Sequence, residues 1–205
     1  LYERAKPVFV DINPRTLNLD CGLIEGAIGP RTRAILAVDV FGLPADWGRL
    51  REIARKRGLA LIEDACEALG ARSRLRDGRW AMAGGLGDAG TFAFYPNKQM
   101  TTGEGGMIVT DDERIARLCR SMRNQGRDEG AGWLQHARLG YNYRISDINC
   151  ALGIAQMQRI EQILAARRQV AQWYGELLSE VPDVEAPQAA PDVEIGWFVY
   201  VVRLG

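Results

Sequence analysis

Between residues 34 and 62 the chain runs strand, helix, strand with almost nothing in between. Residues 34–40 form an apolar run broken only by Asp39 and closed by Gly42 and Pro44. Asp46 is placed to cap a helix whose Trp47, Leu50, Ile53 and Ala54 recur at helical spacing, and Gly58 stops it. A second apolar run, 59–62, follows at once. Two strands joined through a helix by connections this short lie parallel in one sheet, with a right-handed crossover. The fold class that follows is α/β.

Two chemical groups fall where strands stop. Asp64 sits at the carboxyl end of the 59–62 strand, the edge at which open α/β sheets bind ligands. Residues 91–95 have the aromatic content of a buried strand, Pro96 and Asn97 end it with turn chemistry, and Lys98 follows. Gly103, Gly105 and Gly106 then lead into another apolar run, 107–110. Taken singly, Asp64 reads as a helix or turn cap and Lys98 as a solvated lysine in a hairpin. Taken together, they match what pyridoxal phosphate needs. A lysine forms the Schiff base, and a carboxylate keeps the pyridine nitrogen protonated.

The remaining segments give elements rather than chemistry. Residues 7–11 read as a strand leaving into Asn13-Pro14, and 72–86 as a solvated hairpin turning at Asp77-Gly78. Asp111 and Asp112 start a helix carrying Ile115, Leu118, Cys119 and Met122. A polar, glycine-containing loop, 123–138, then holds the single histidine, His136. Ser146 caps a long, bent helix with Ile148, Leu152 and Ala155 on one side, continuing through Ile163, Leu164, Val170, Trp173 and Leu177. Residues 181–194, with three prolines, read as a linker, and 197–204 as a strand.

Charge and cysteine usage exclude several classes. Lys+Arg and Asp+Glu are equal at 26 each, so neither nucleic acid nor an anionic membrane surface is indicated as a partner. The four cysteines are scattered without a C-x-x-C pair, which reads as reduced thiols in a cytoplasmic protein without a metal site. No apolar run approaches the length of a membrane span.

Five stretches carry a resemblance: 7–20 (PVFVDINPRTLNLD), 34–46 (AILAVDVFGLPAD), 62–71 (IEDACEALGA), 87–110 (GDAGTFAFYPNKQMTTGEGGMIVT) and 139–156 (LGYNYRISDINCALGIAQ). In this order they resemble the DegT/StrS family of pyridoxal-phosphate-dependent sugar aminotransferases. The third and fourth are the most specific. The resemblance implies the fold-type-I aminotransferase architecture, with a mostly parallel large-domain sheet, flanking helices and the start of a small C-terminal α+β domain. It divides the chain into a partial large domain (1–145), an inter-domain helix (146–180), and a linker with the first strand of the small domain (181–205). It also implies a fragment, inactive alone, that lacks the N-terminal phosphate cup and most of the small domain.

The same resemblance assigns roles. Lys98 matches the Schiff-base lysine and proton carrier, where a histidine would instead favour dehydration. Asp64 matches the pyridinium partner, and Glu67 stands near the cofactor's phenolic oxygen. Asn142 matches a residue that reaches the partner subunit's cofactor phosphate, which implies a homodimer with shared active sites. Tyr143 and Arg144 fall to interface packing, and Tyr95 and Asn97 flank the lysine toward substrate. Two positions depart from the pattern: Ala93 lies where relatives place a phosphate-binding serine, and Asp39 where they often have histidine. The implied reaction transfers an amino group from glutamate to a keto group of a nucleotide-linked deoxysugar. Products of that reaction feed polysaccharide, lipopolysaccharide or glycosylated-metabolite synthesis. The competing readings are a non-catalytic or regulatory homologue or truncated remnant, and a desulfurase using one of the cysteines.

Overall fold

The computed structural model describes residues 4–205; residues 1–3, at the start of the expected first domain, lie outside the described residues. A four-stranded sheet forms the frame. Its strands are β1 (Ala34–Val38), β2 (Ala60–Asp64), β5 (Ala89–Ala93) and β6 (Gly106–Val109), in the spatial order β1-β2-β5-β6. The first three are parallel and β6 returns antiparallel to β5, so the sheet is mixed but mostly parallel. Between β2 and β5 the chain makes the expected hairpin, β3 (Arg72–Arg74) against β4 (Trp80–Met82), with Gly78 left-handed at φ 85°.

Four α-helices start on a side-chain cap. The short α1 (Cys21–Ala27) starts on Asp20. In α2 (Trp47–Arg57) the Asp46 side chain accepts the Arg49 N–H, and Gly58 closes the helix in the left-handed region. Asp112 caps α3 (Glu113–Arg123), and Ser146 caps α4 (Asp147–Met157). The core lies between the sheet and α1 and α2. Ile24, Ile35, Trp47, Leu50, Ile53, Leu61 and Leu86 meet there, with Trp47 and Leu50 fully buried.

Four expectations need correction. Residues 7–11 form no strand, because nothing among the described residues offers them a ladder; the isolated bridge Ile12–Leu19 lies just beyond them. The long helix is interrupted at Gln158–Arg159, so α5 (Ile160–Leu178) is separate from α4. The segment 181–194 is not bare linker. It contains β7 (Val184–Glu185) and β8 (Val193–Glu194), the latter pairing with β3. The strand expected over 197–204 is reduced to β9 (Arg203–Leu204), which pairs with β7. Residues 197–200 instead turn inward. Trp197 stacks on Tyr200, which stacks in turn on Tyr174 of α5, while Arg167 donates to the carbonyls of Trp197 and Phe198.

Candidate active site

The register Val38–Asp64–Thr91 brings the carboxyl ends of the three parallel strands level, and the candidate site lies beyond them. Asp64 is the last residue of β2. Its Oδ1 accepts the Cys66 N–H at 3.1 Å, and among the described residues it joins no ion pair. Past β5 the chain makes a β-turn in which the Lys98 N–H donates to the Tyr95 carbonyl at 3.0 Å, with Pro96 and Asn97 between them. This turn lifts Lys98 off the sheet edge and directs it back across β2. Its Nζ lies 3.5 Å from Glu67 Oε1 and 4.3 Å from the centre of the Phe198 ring, and its side chain is only 14% exposed. It is therefore not the solvated hairpin lysine that it would be by default.

Glu67 connects this amine to the neighbouring strand end. Its Oε2 accepts the Phe41 N–H at 2.7 Å. Phe41 is held at φ 60°, a conformation that a non-glycine residue adopts only when its surroundings dictate it. Beside it Gly42, at φ 90°, lets the chain come so close that an added Cβ would stand 3.0 Å from the Trp197 N and 3.1 Å from the Glu67 carbonyl. The Gly196 N–H donates to the Gly42 carbonyl at 2.8 Å. Buried Gln99 donates through Nε2 to the carbonyls of both Glu67 and Gly196. These contacts clamp residues 196–198 over the site and set Phe198 against Lys98. Sequence reasoning missed Gln99 and Phe198. The one signal was a polar residue directly after the lysine.

A second pair of carboxylates lies under the site. Asp39 is fully buried at the end of β1. Its Oδ1 accepts the Ala45 N–H and the Trp47 indole N–H at 2.9 and 2.8 Å, and its Oδ2 has no partner. Glu63, also fully buried, accepts the N–H groups of Gly84, Leu86 and Gly87. Burial, with the Glu63 carboxylate adding to it, pushes the Asp39 carboxyl up to about 8. Asp39 is thus structural in this chain. The Cys66 thiol beside Asp64 is pushed up to about 11 by burial and by its hydrogen bond to Asp64, which makes it a poor nucleophile.

The other expected residues are placed less centrally. Tyr95 and Asn97 are exposed on the turn. Asn142 is exposed on the segment after α3, bridged through its backbone to Asn124. It does not join the Lys98 cluster. Ala93 offers no hydroxyl at the end of β5, and the Thr101 and Thr102 hydroxyls are already donated to the carbonyls of Phe94 and Glu104. Lys98, an unpaired Asp64 and Glu67 fit the pyridine and aldehyde end of pyridoxal phosphate. The described residues around Ala93 do not supply a set of donors for its phosphate. No group of three or more His, Cys, Asp or Glu side chains among the described residues could hold a metal ion. No helix among them is long and apolar enough to cross a membrane.

The mostly parallel sheet, with a carboxylate and a screened lysine beyond its carboxyl edge, has the fold-type-I aminotransferase architecture. The chain belongs to the DegT/DnrJ/EryC1/StrS aminotransferase family, whose profile matches residues 1–205. It is 42% identical over 205 residues to a GDP-perosamine synthase of Caulobacter vibrioides, covering 100% of this chain and 54% of that one. It is 38% identical over 203 residues to a dTDP-3-amino-3,4,6-trideoxy-alpha-D-glucose transaminase of Micromonospora megalomicea, covering 97% and 52%. Among solved structures, a DegT DnrJ EryC1 StrS aminotransferase from Brucella abortus superposes with a TM-score of 0.85 at 31% identity, covering 97% of this chain and 53% of that one. DesI, crystallised with its TDP-sugar product, gives 0.88 at 32%, covering 100% and 50%. The chain spans about half the length of these relatives.

Proposed function

We propose that this chain carries the lysine-bearing part of an enzyme that transfers an amino group from glutamate to a keto group of a nucleotide-linked deoxysugar. Pyridoxal 5'-phosphate would be its cofactor. The observation that carries the reading is the Lys98 amine, 3.5 Å from Glu67 and largely screened from water, at the same sheet edge as Asp64. When bound, the cofactor supplies an electron sink that makes the Cα proton of an amino donor acidic. Lys98 would take that proton and return it as general base and acid. Asp64, with no ion pair among the described residues, would hold the positive charge of the ring nitrogen. Glu67 keeps the lysine aimed, and Phe198 excludes water from it.

The relatives' printed activities support a nucleotide-linked sugar as acceptor. In this reading residues 1–145 are part of the large domain, 146–180 join the two domains, and 181–205 begin the small one. The enzyme is a cytoplasmic homodimer in which Asn142 reaches the partner subunit's cofactor phosphate. Ala93 favours a second reading, a relative that keeps the fold and binds the cofactor weakly or not at all. An absorbance spectrum of the protein with pyridoxal phosphate, before and after borohydride, decides between them when taken beside Lys98→Ala. A visible band that borohydride removes and the variant lacks is the expected result. No band in the unaltered protein overturns the enzymatic reading.

A further inference from the structure

Residues 196–198, the stretch that covers Lys98, are held in place by side chains. In a strand their carbonyls would bond a neighbouring strand, and a buried carbonyl needs a donor from somewhere. Here three successive carbonyls are taken by side chains: Gly196 by Gln99 Nε2 at 3.3 Å, Trp197 by Arg167 Nη1 at 3.2 Å, and Phe198 by the same Nη1 at 3.0 Å. The Gly196 N–H is committed to the Gly42 carbonyl. Trp197 is held at φ 46°, in the left-handed region, which a bulky residue adopts only where its surroundings dictate it. The two holders come from distant parts of the chain. Gln99 directly follows the lysine, and Arg167 stands in α5.

Neither holder is explained by stability alone. Gln99 is 2% exposed, and its Oε1 is buried with no hydrogen-bond partner. An acceptor buried unmet is unfavourable, and an apolar side chain of the same length would avoid it. Arg167 is partly buried, burial draws its guanidinium below the usual arginine range, and no carboxylate answers its charge. Both local costs fall where they close one stretch over one amine. Phe198 stands 4.3 Å from Lys98 Nζ, and the lysine side chain is 14% exposed. Departures of this kind gather at functional sites. We propose that Gln99 and Arg167 are positioning residues of the lysine chemistry, which together hold residues 196–198 shut over Lys98 and so set what reaches its amine. The inference rests on the amino-transfer reading only for the use made of that amine: water admitted beside a proton carrier would compete for the proton.

Acetylation of the cofactor-free protein by a small amine-reactive ester, followed residue by residue by mass spectrometry, tests it. Lys56, whose side chain is 61% exposed, gauges the reagent. Cys21, packed against the core below α2, gauges general loosening when a thiol reagent is used in parallel. In the unaltered protein Lys98 should react more slowly than Lys56. Gln99→Met and Arg167→Met, which keep side-chain length and donate nothing, should each speed Lys98 by about fivefold or more and leave Lys56 and Cys21 unchanged. Arg167→Lys retains a donor and should return most of the protection. Gln99→Glu donates only while its carboxyl is protonated, so its Lys98 rate, taken against the unaltered protein at each pH, should rise with pH. That variant carries the test within one folded protein should Gln99→Met fail to fold. Phe198→Ala should speed Lys98 alone, and Gln99→Met added to it should do little more, because the two act at one place. The labelling needs no cofactor, so it is read even where pyridoxal phosphate gives no visible band, and the two readings fail separately. Lys98 rates indifferent to the methionine variants, a rise in Cys21 to match that in Lys98, or conservative variants that behave like the methionine ones would each overturn the proposal.

Discussion

The carboxylate of Glu67 bridges two strand ends, taking the Phe41 N–H on one oxygen at 2.7 Å and standing 3.5 Å from the Lys98 amine with the other. Truncation and neutralisation should therefore separate. Glu67→Ala leaves the Phe41 N–H without its acceptor in a left-handed turn, and should cost on the order of 1–3 kcal/mol in a denaturant titration. Glu67→Gln retains an acceptor for Phe41 and should melt close to the unaltered protein. It should still lower the rate of amino transfer by about tenfold or more, because the charge beside the proton carrier is gone. Equal rates for Glu67→Gln and the unaltered protein would remove Glu67 from the reaction.

The Asp39 carboxyl makes stability depend on pH. Between its ordinary value of 3.8 and about 8, the folded chain keeps a proton on Asp39 that the unfolded chain has released. The folded state binds more protons across that window, so this group's contribution falls as pH rises and is lost above about 8. Asp39→Asn keeps an oxygen for the Ala45 and Trp47 N–H groups and carries no charge. Melting curves from pH 4 to 9 should lose this slope in the variant. At the alkaline end the variant should gain on the order of 1–3 kcal/mol.

Restoring a hydroxyl at the end of β5 should tighten the cofactor. Ala93→Ser adds a donor where the described residues offer none, since Thr101 and Thr102 are committed to carbonyls. A charge-assisted hydrogen bond contributes about 1.5–3 kcal/mol, so the dissociation constant for pyridoxal phosphate should fall by roughly tenfold or more. An unchanged constant would mean that the phosphate does not lie at this strand end.

Gly90, inside β5, tests the packing of the strand against the chain that precedes it. A Cβ there would stand 2.1 Å from the Gly84 carbonyl oxygen, and backbone cannot rotate away as a side chain can. Gly90→Ala should cost about 3 kcal/mol or more in a thermal or denaturant melt. It should also loosen the Gly84–Gly87 turn that feeds three N–H groups to Glu63.

The elements most legible in the sequence are those whose signals are local. Asp46, Gly58, Asp112 and Ser146 each sit at a helix boundary because a cap bonds a backbone group only two or three residues away. Asp64 and Lys98 were legible for a related reason, since each follows a short apolar run that had to be a strand. The elements that were misread depend on remote partners. Residues 7–11 and 197–204 have apolar runs as convincing as β2, but their register is decided by which strands are at hand. Glu63, just past the 59–62 run, carried no signal of its own, and its burial makes sense only once the 84–87 turn arrives to bond it. Lys98 and Glu67 could be named separately, whereas Gln99 and Phe198 acquire their positions from tertiary closure.

That closure sets an order on how the molecule comes into being. The Gln99 side chain reaches a carbonyl 97 residues further along the chain, so its loop is among the costliest here to close. During synthesis β1, α2 and β2 can assemble as soon as they emerge, because their contacts are near neighbours in the chain. The wall over Lys98 cannot. Until residues 196–198 have been made and seated, Phe198 is not in place to screen the Lys98 amine. The scaffold is an early product of folding and the chemical environment of the lysine a late one.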